Sequence, residues 1–234
     1  MTINNKNQND IVDFKLIKSF EIEEIFSDQP INRLKNKLKV ENKVNSLINL
    51  KNKIEKIENC KLKKNSSQIV FNDGDYNSQI MLIGEGPGEK EDKIGKPFVG
   101  DAGILLNKML SAINLKRSDI YITNVVNFRP PDNRKPDSGE IAKYSNFLRE
   151  HISIVNPKIL ILMGSTAMES LIGNNIKISN ERGKWKEIII KNKTYLSIVT
   201  FHPAYLLRQP DQKKYSWYDL KEIRNKIDEL SIKI

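Results

Sequence analysis

The 234-residue sequence predicts an α/β fold, a largely parallel sheet with helices on both faces. Three observations carry the prediction. Four short apolar runs, at 80–84, 120–126, 159–163 and 196–200, read as strands buried on both sides. Helical patterns alternate with them, headed by Asp101-Ala102-Gly103, Asp137-Ser138-Gly139-Glu140 and Ser165-Thr166-Ala167, residue types that satisfy the free N–H groups of a helix start. The first run opens straight into Gly84-Glu85-Gly86-Pro87-Gly88, and a strand delivering a glycine-rich turn is how an open α/β sheet presents chemistry at its carboxyl edge.

The stretch before this domain has a different texture. Val40, Val44, Leu47, Ile54 and Ile57 recur at helical spacing among Lys, Asn and Glu, which predicts a surface helix with one apolar face. Residues 4–10 are polar enough to be disordered. The division is therefore a helical, partly disordered, basic extension over 1–66 and a main domain over 67–234. Within the domain, 185–195 reads as a hairpin turning at Lys191-Asn192. A last helix is predicted over about 216–232, with Trp217, Leu220, Ile223, Ile227 and Leu230 on one face.

Lys and Arg number 39 against 29 Asp and Glu, a net charge of +10 that favours phosphate-bearing partners and salt-sensitive binding. Lys, Asn and Ile are abundant throughout, so charge alone does not single out nucleic acid. The one cysteine, Cys60, excludes an internal disulfide and fits a reducing compartment. No stretch approaches the roughly 18 apolar residues of a membrane helix, and the first residues do not resemble a signal peptide. A soluble, cytoplasmic, monomeric protein without membrane contact is expected.

The motifs sit at strand ends. The glycine turn lacks the Gly-Lys-Ser/Thr ending of a P-loop and the full dinucleotide fingerprint, so it either lets a flat ligand approach the backbone or is a tight turn with solvated carboxylates at Glu85, Glu91 and Asp92. Phe98, inside Gly95-Lys96-Pro97-Phe98-Val99-Gly100, is either a core plug or a platform for a stacked base. Asn124 ends an otherwise apolar strand, and its amide is either satisfied by a neighbouring loop or presents the donor and acceptor that suit the N3–H and O4 edge of uracil. His202 lies at the end of the last strand, on the same sheet edge as Glu85, which points to a site residue. His151, inside a helical pattern, reads as structural or exposed.

Taken together, Gly84-Glu85-Gly86-Pro87-Gly88-Glu89-Lys90-Glu91-Asp92, the segment from Gly95 to Gly103, Tyr121-Ile122-Thr123-Asn124-Val125-Val126 and His202-Pro203-Ala204-Tyr205-Leu206-Leu207-Arg208 resemble the uracil-DNA glycosylase superfamily, in its family-four, thermophile-type branch. The resemblance runs in order from about Cys60 to the C-terminus. It implies a three-layer α/β/α sandwich on a four-stranded parallel sheet, with a uracil pocket at the carboxyl edge. It implies that Phe98 stacks on the flipped base, Asn124 reads its polar edge, and His202 supports the departing uracil. Glu85 and Glu91 are the implied groups that orient water or stabilise the sugar cation. Gly86, counted among the substrate-binding positions, stands where the best-known branch of the superfamily has a water-activating Asp. Breaking an N-glycosidic bond builds an oxocarbenium-like sugar and a uracil anion, which needs carboxylate charge near the sugar and a donor at O2. A stacked base must first be extruded, so Leu206 is the expected wedge, and Arg134 and Arg208 the expected phosphate contacts.

The resemblance fails in one place. Family-four enzymes hold an iron-sulfur cluster on four cysteines, two as Cys-x-x-Cys near the start and two sixteen positions apart after the Asn strand. Here only Cys60 stands at such a position, and Ile57, Phe128 and Tyr144 occupy the others. The expectation is that the cluster is absent, that no metal is bound, and that aromatic packing fills its volume. A related branch traps its product through a histidine in a basic insertion, but 129–139 contains none. The reading is a monofunctional hydrolase that removes uracil from DNA and leaves an abasic site. Its alternative is a non-catalytic damage-binding or scaffold module. The basic extension is a candidate arm for a protein partner.

Overall fold

The computed structural model describes residues 33–173 and 176–234, with side chains from residue 42 onward. The disorder expected at 4–10 lies outside the described residues. Six strands form one sheet: β1 (Asp73–Gly74), β2 (Ile80–Gly84), β3 (Tyr121–Asn124), β4 (Ile159–Met163), β5 (Trp185–Ile190) and β6 (Lys193–Thr200), in the order β1-β3-β2-β4-β6-β5. The middle of that order, β3-β2-β4-β6, is parallel throughout and is the expected four-stranded core. The sheet is nevertheless mixed, because β1 and β5 pair antiparallel on its two edges. β1 is too short to leave a periodic signal. The hairpin turns where expected, with Lys191 and Asn192 both at positive φ (47° and 62°), the conformation a two-residue hairpin loop needs. Its return arm runs on without a break into the strand predicted at 196–200.

The two-residue side-chain period splits each central strand between two cores. Met81, Ile83, Leu160 and Leu162 bury on one face, and Ile80, Leu82, Ile159 and Ile161 on the other. Nine helices are described: α1 (Arg33–Glu55), α2 (Lys61–Lys64), α3 (Glu89–Ile94), α4 (Asp101–Ser111), α5 (Ser138–Val155), α6 (Ser165–Leu171), α7 (Ile178–Glu181), α8 (Pro203–Arg208) and α9 (Lys213–Glu229). α1, α5 and α6 cover the first face, α4 and α9 the second, giving the three layers. α5 starts as predicted, with Asp137 accepting from Glu140 N (2.8 Å) and Glu140 accepting from Asp137 N (2.9 Å).

Two expectations change. The extension drawn to residue 66 is in part core, since Leu47, Leu50 and Ile54 of α1 bury against the same cluster as Met81, and Lys39–Ile234 form one compact unit. The last helix begins at Lys213, and its buried stripe passes through Ser216, Leu220, Ile223 and Ile227. Trp217 lies about 100° round the helix from Ser216 and is 44% exposed, off the inner face assigned to it.

Candidate active site

The parallel strands end together. Gly84 of β2 pairs with Asn124 of β3, and a Cβ on Gly84 would stand 2.4 Å from Asn124 Oδ1 and 2.5 Å from the Phe98 ring, so only glycine lets these two side chains meet there. Across the sheet, β6 ends at Thr200, and His202 follows as the first cap of α8. Between these ends lies a cleft of about 620 Å³, lined by Glu85, Gly86, Glu91, Phe98, Asn124 and His202, with Arg134 and Arg208 toward its rim.

Phe98 occupies a strained left-handed conformation (φ 52°), a cost of roughly 1–3 kcal/mol that its surroundings must impose. Glu91 and Arg117 impose it. Glu91 Oε1 accepts from Val99 N (2.8 Å) and Gly100 N (2.7 Å), and its Oε2 accepts from Gly88 N (3.2 Å). Arg117 donates to Phe98 O (2.9 Å) and to Pro97 O. The ring, 6% exposed, is thereby set beside His202, with centroids 5.4 Å apart and planes 27° from parallel. Gly103 allows the next helix to close on this loop, since a Cβ there would fall 1.9 Å from Phe98 O.

Glu91, expected beside Glu85 as a reacting carboxylate, has both oxygens committed to backbone amides; it ties the glycine turn to the Phe98 loop. Glu85 is held differently. Its Oε2 accepts from Thr166 Oγ1 at the start of α6, and its other oxygen has no partner among the described residues. Asn124 is 3% exposed, yet its side-chain amide makes no hydrogen bond among the described residues.

His202 Nδ1 accepts from Ala204 N (3.2 Å), which assigns the ring proton to Nε2. Desolvation, reinforced by the Arg208 charge, pulls its pKa from 6.5 to about 4, so the ring is neutral at pH 7 and offers one N–H. The strand end beneath it is clamped by Asp219, which accepts from Thr200 Oγ1 (2.7 Å) and pairs with Arg182. Arg182 in turn lies 5.4 Å from the centroid of Phe201.

The outer residues divide. Arg208 is exposed, borders the cleft and has no ion partner among the described residues. Arg134 is already held by Glu140 through two 2.7 Å bonds. Leu206, read as the wedge, is 1% exposed and packs in the core; an apolar side chain at that position faces inward from α8. Its neighbour Leu207 is 44% exposed and is the apolar side chain this helix offers outward. Sequence reasoning missed Thr166, Arg117, Arg182 and Asp219, which act through other residues; of these only Thr166 stood in a motif, at a predicted helix start.

The positions where the family's cluster would be bound are elsewhere, against the α1–α5 face of the sheet. Cys60 (5% exposed), Phe128 (3%) and Tyr144 (1%) are buried in one cluster, with Ile57 packed against it. Cys60 Sγ lies 3.5 Å from Tyr144 Oη. One thiol facing a phenol, enclosed by apolar side chains, does not fit a group that takes four thiolates. Among the described residues, no three His, Cys, Asp or Glu side chains come together in a metal-holding group. His151 is buried and structural: it bonds Tyr121 Oη (2.7 Å) and stacks on Phe71 at 4.5 Å.

Comparison with known proteins agrees with the geometry. Residues 71–221 match the uracil DNA glycosylase superfamily. The type-4 uracil-DNA glycosylase of Thermotoga maritima is 41% identical over 157 residues, 67% of this chain and 80% of that protein. That of Sulfurisphaera tokodaii is 39% identical over 189 residues, 77% of this chain and 84% of the relative. That of Archaeoglobus fulgidus is 34% identical over 182 residues, 76% and 92%.

Proposed function

Because the chain belongs to the uracil-DNA glycosylase superfamily, alongside its type-4 members, we propose the following division of labour for its pocket. The protein is a hydrolase of the glycosidase class that excises uracil from DNA in DNA repair. The C1′–N1 bond breaks with its electron pair leaving on uracil; water then adds to C1′ and gives up a proton, leaving an abasic sugar.

Phe98 supplies the face on which the flipped base stacks, and Asn124 reads N3–H and O4 with its acceptor and donor. His202, neutral, donates from Nε2 to uracil O2 as negative charge develops there. Glu85 places its free oxygen near the sugar, where it stabilises the cation and orients water. Glu91 is a positioning residue, fixing Phe98 through the Val99 and Gly100 amides. Leu207 takes the wedge role, and Arg208 holds a phosphate. The reaction runs without the iron-sulfur cluster; the packing of Phe128 and Tyr144 around Cys60 supports this.

The observation that carries the reading is the Asn124 amide, which lines the cleft and makes no hydrogen bond among the described residues. Its donor and acceptor are left for a ligand that enters the cleft, as reading the edge of a base requires. The test is abasic-site formation in an oligonucleotide carrying one uracil. Asn124→Asp, which exchanges the NH₂ donor for an acceptor, is expected to lose most uracil excision and to gain detectable action on cytosine. Unchanged uracil excision by that variant refutes the role given to Asn124.

A further inference from the structure

The charges around the cleft are unevenly spent. On the side of the glycine turn and the 129–137 loop most basic groups are paired, Lys90 with Asp101, Arg134 with Glu140 and Lys135 with Glu169, and Arg129 alone is held by a neutral partner, Asn133 Oδ1. On the His202 side they are not. Arg208, Lys213, Lys214 and Lys221 are exposed and form no ion pair among the described residues. The only exposed carboxylate between residues 207 and 221 is Asp211, because Asp219 is buried against Arg182.

Aromatic rings are interleaved with these cations. Trp217 is 44% exposed and Tyr218 56%, on a helix whose opposite face is buried. Lys214 and Tyr218, and Trp217 and Lys221, are four residues apart, while Lys214–Trp217 and Tyr218–Lys221 are three apart, so the four side chains form one stripe. The Lys221 ammonium already sits 4.9 Å from the Tyr218 centroid. The stripe follows the cleft along the chain: Arg208 and Gln212 line the cleft, and α9 begins at the next residue, Lys213. From Gln212 to Lys221 the helix rises about 13 Å, at 1.5 Å per residue.

We propose that this outer face of α9 carries an unpaired DNA strand flanking the flipped uridine, its phosphates on Lys214 and Lys221 and its bases on Trp217 and Tyr218. The proposal rests on the excision reading above and deepens it. A basic track with exposed rings is the arrangement that holds single strands, since every unpaired base has a face to stack, whereas a duplex presents only its phosphates to such a surface. The protein is accordingly expected to hold unpaired DNA more tightly than this face alone holds duplex.

The test uses the full chain and uracil-free oligonucleotides, single-stranded and duplex, with affinity read by anisotropy. Trp217→Ala/Tyr218→Ala is expected to weaken single-strand binding at least about fivefold, the smallest effect of losing one stacked base, while duplex binding changes far less. Lys214→Ser/Lys221→Ser is expected to lower the slope of log K against log salt on single strands by about 1.4, at roughly 0.7 per phosphate contact. Unchanged single-strand affinity in the aromatic variant, or equal losses on both substrates, overturns the proposal. Unchanged binding in both variants shows that the stripe holds no DNA and likewise overturns it. All four side chains are exposed, and an unchanged far-ultraviolet circular dichroism spectrum and unfolding midpoint confirm that the variants fold. Because the probe lacks uracil, ring-dependent binding in a chain that excises nothing would refute the catalytic reading and leave this one standing.

Discussion

The open cleft, lined by half-buried Glu85 and His202, and the closed cluster around Cys60 treat polar groups in opposite ways. In the cleft, side chains are left short of partners: the Asn124 amide has none, Glu85 keeps one oxygen free, and His202 uses only Nδ1. Around Cys60 the thiol and the Tyr144 hydroxyl meet each other inside an apolar cluster. A polar group left without a protein partner at an open cleft is available to complete its hydrogen bonds with a substrate. A matched pair among apolar neighbours serves stability. The difference separates two kinds of burial that composition alone does not distinguish.

The largest effect that sharpens this contrast is expected at Tyr144. Tyr144→Ala removes a fully buried ring and is expected to cost about 3–5 kcal/mol of stability, read by denaturant unfolding. Excision per folded molecule is expected to stay near wild type, because the ring touches nothing in the cleft. A loss of turnover without loss of stability would break the comparison.

His202→Ala is the converse case, slowing excision by about 10²-fold or more with little change in stability. The pH dependence adds a sign. The folded-state pKa of His202 lies near 4 and that of His151 near 3, both lowered from 6.5 chiefly by desolvation. The unfolded chain therefore binds protons that the folded chain refuses. The stability these rings contribute is fully present above about 6.5 and is lost as pH falls toward 4 and then 3. Excision is expected to show no inflection near 6.5 from His202, and an inflection there that disappears in His202→Ala refutes the neutral-donor role.

What the sequence made legible follows from what leaves a local trace. Strand 159–163, the Asp137 cap, and the turn at Lys191-Asn192 are set by neighbours in the chain, and all three are where expected. That Glu85, Phe98, Asn124 and His202 come together at one cleft was readable because each ends a strand or sits in a glycine turn. The fate of Glu91 was not, since the Val99 and Gly100 amides that consume it come from a loop that closes back in three dimensions. Leu206 and Leu207 are adjacent in sequence, and only the docking of α8 decides which of them is buried. Trp217 failed at the helix start, where Ser216, four residues before Leu220, rather than Trp217, three before it, continues the buried stripe.

The smallest effect tests the cluster region at its one remaining cysteine. Cys60→Ser keeps a hydrogen-bonding group opposite Tyr144 Oη and loses only the larger, more apolar sulfur. If the site is a packed plug, the change is expected to cost about 1 kcal/mol or less, within the range of one buried hydrogen bond. Activity and absorbance should both be unaltered. If Cys60 instead anchors an iron-sulfur group, the same substitution removes a ligand, and the protein loses visible absorbance, bound iron and stability together. Iron analysis of anaerobically purified wild type decides between these outcomes independently of activity, because a four-iron cluster leaves about four irons per chain and a plug leaves none. A colourless wild type whose Cys60→Ser variant unfolds as late as its parent places this region with the core rather than with the chemistry.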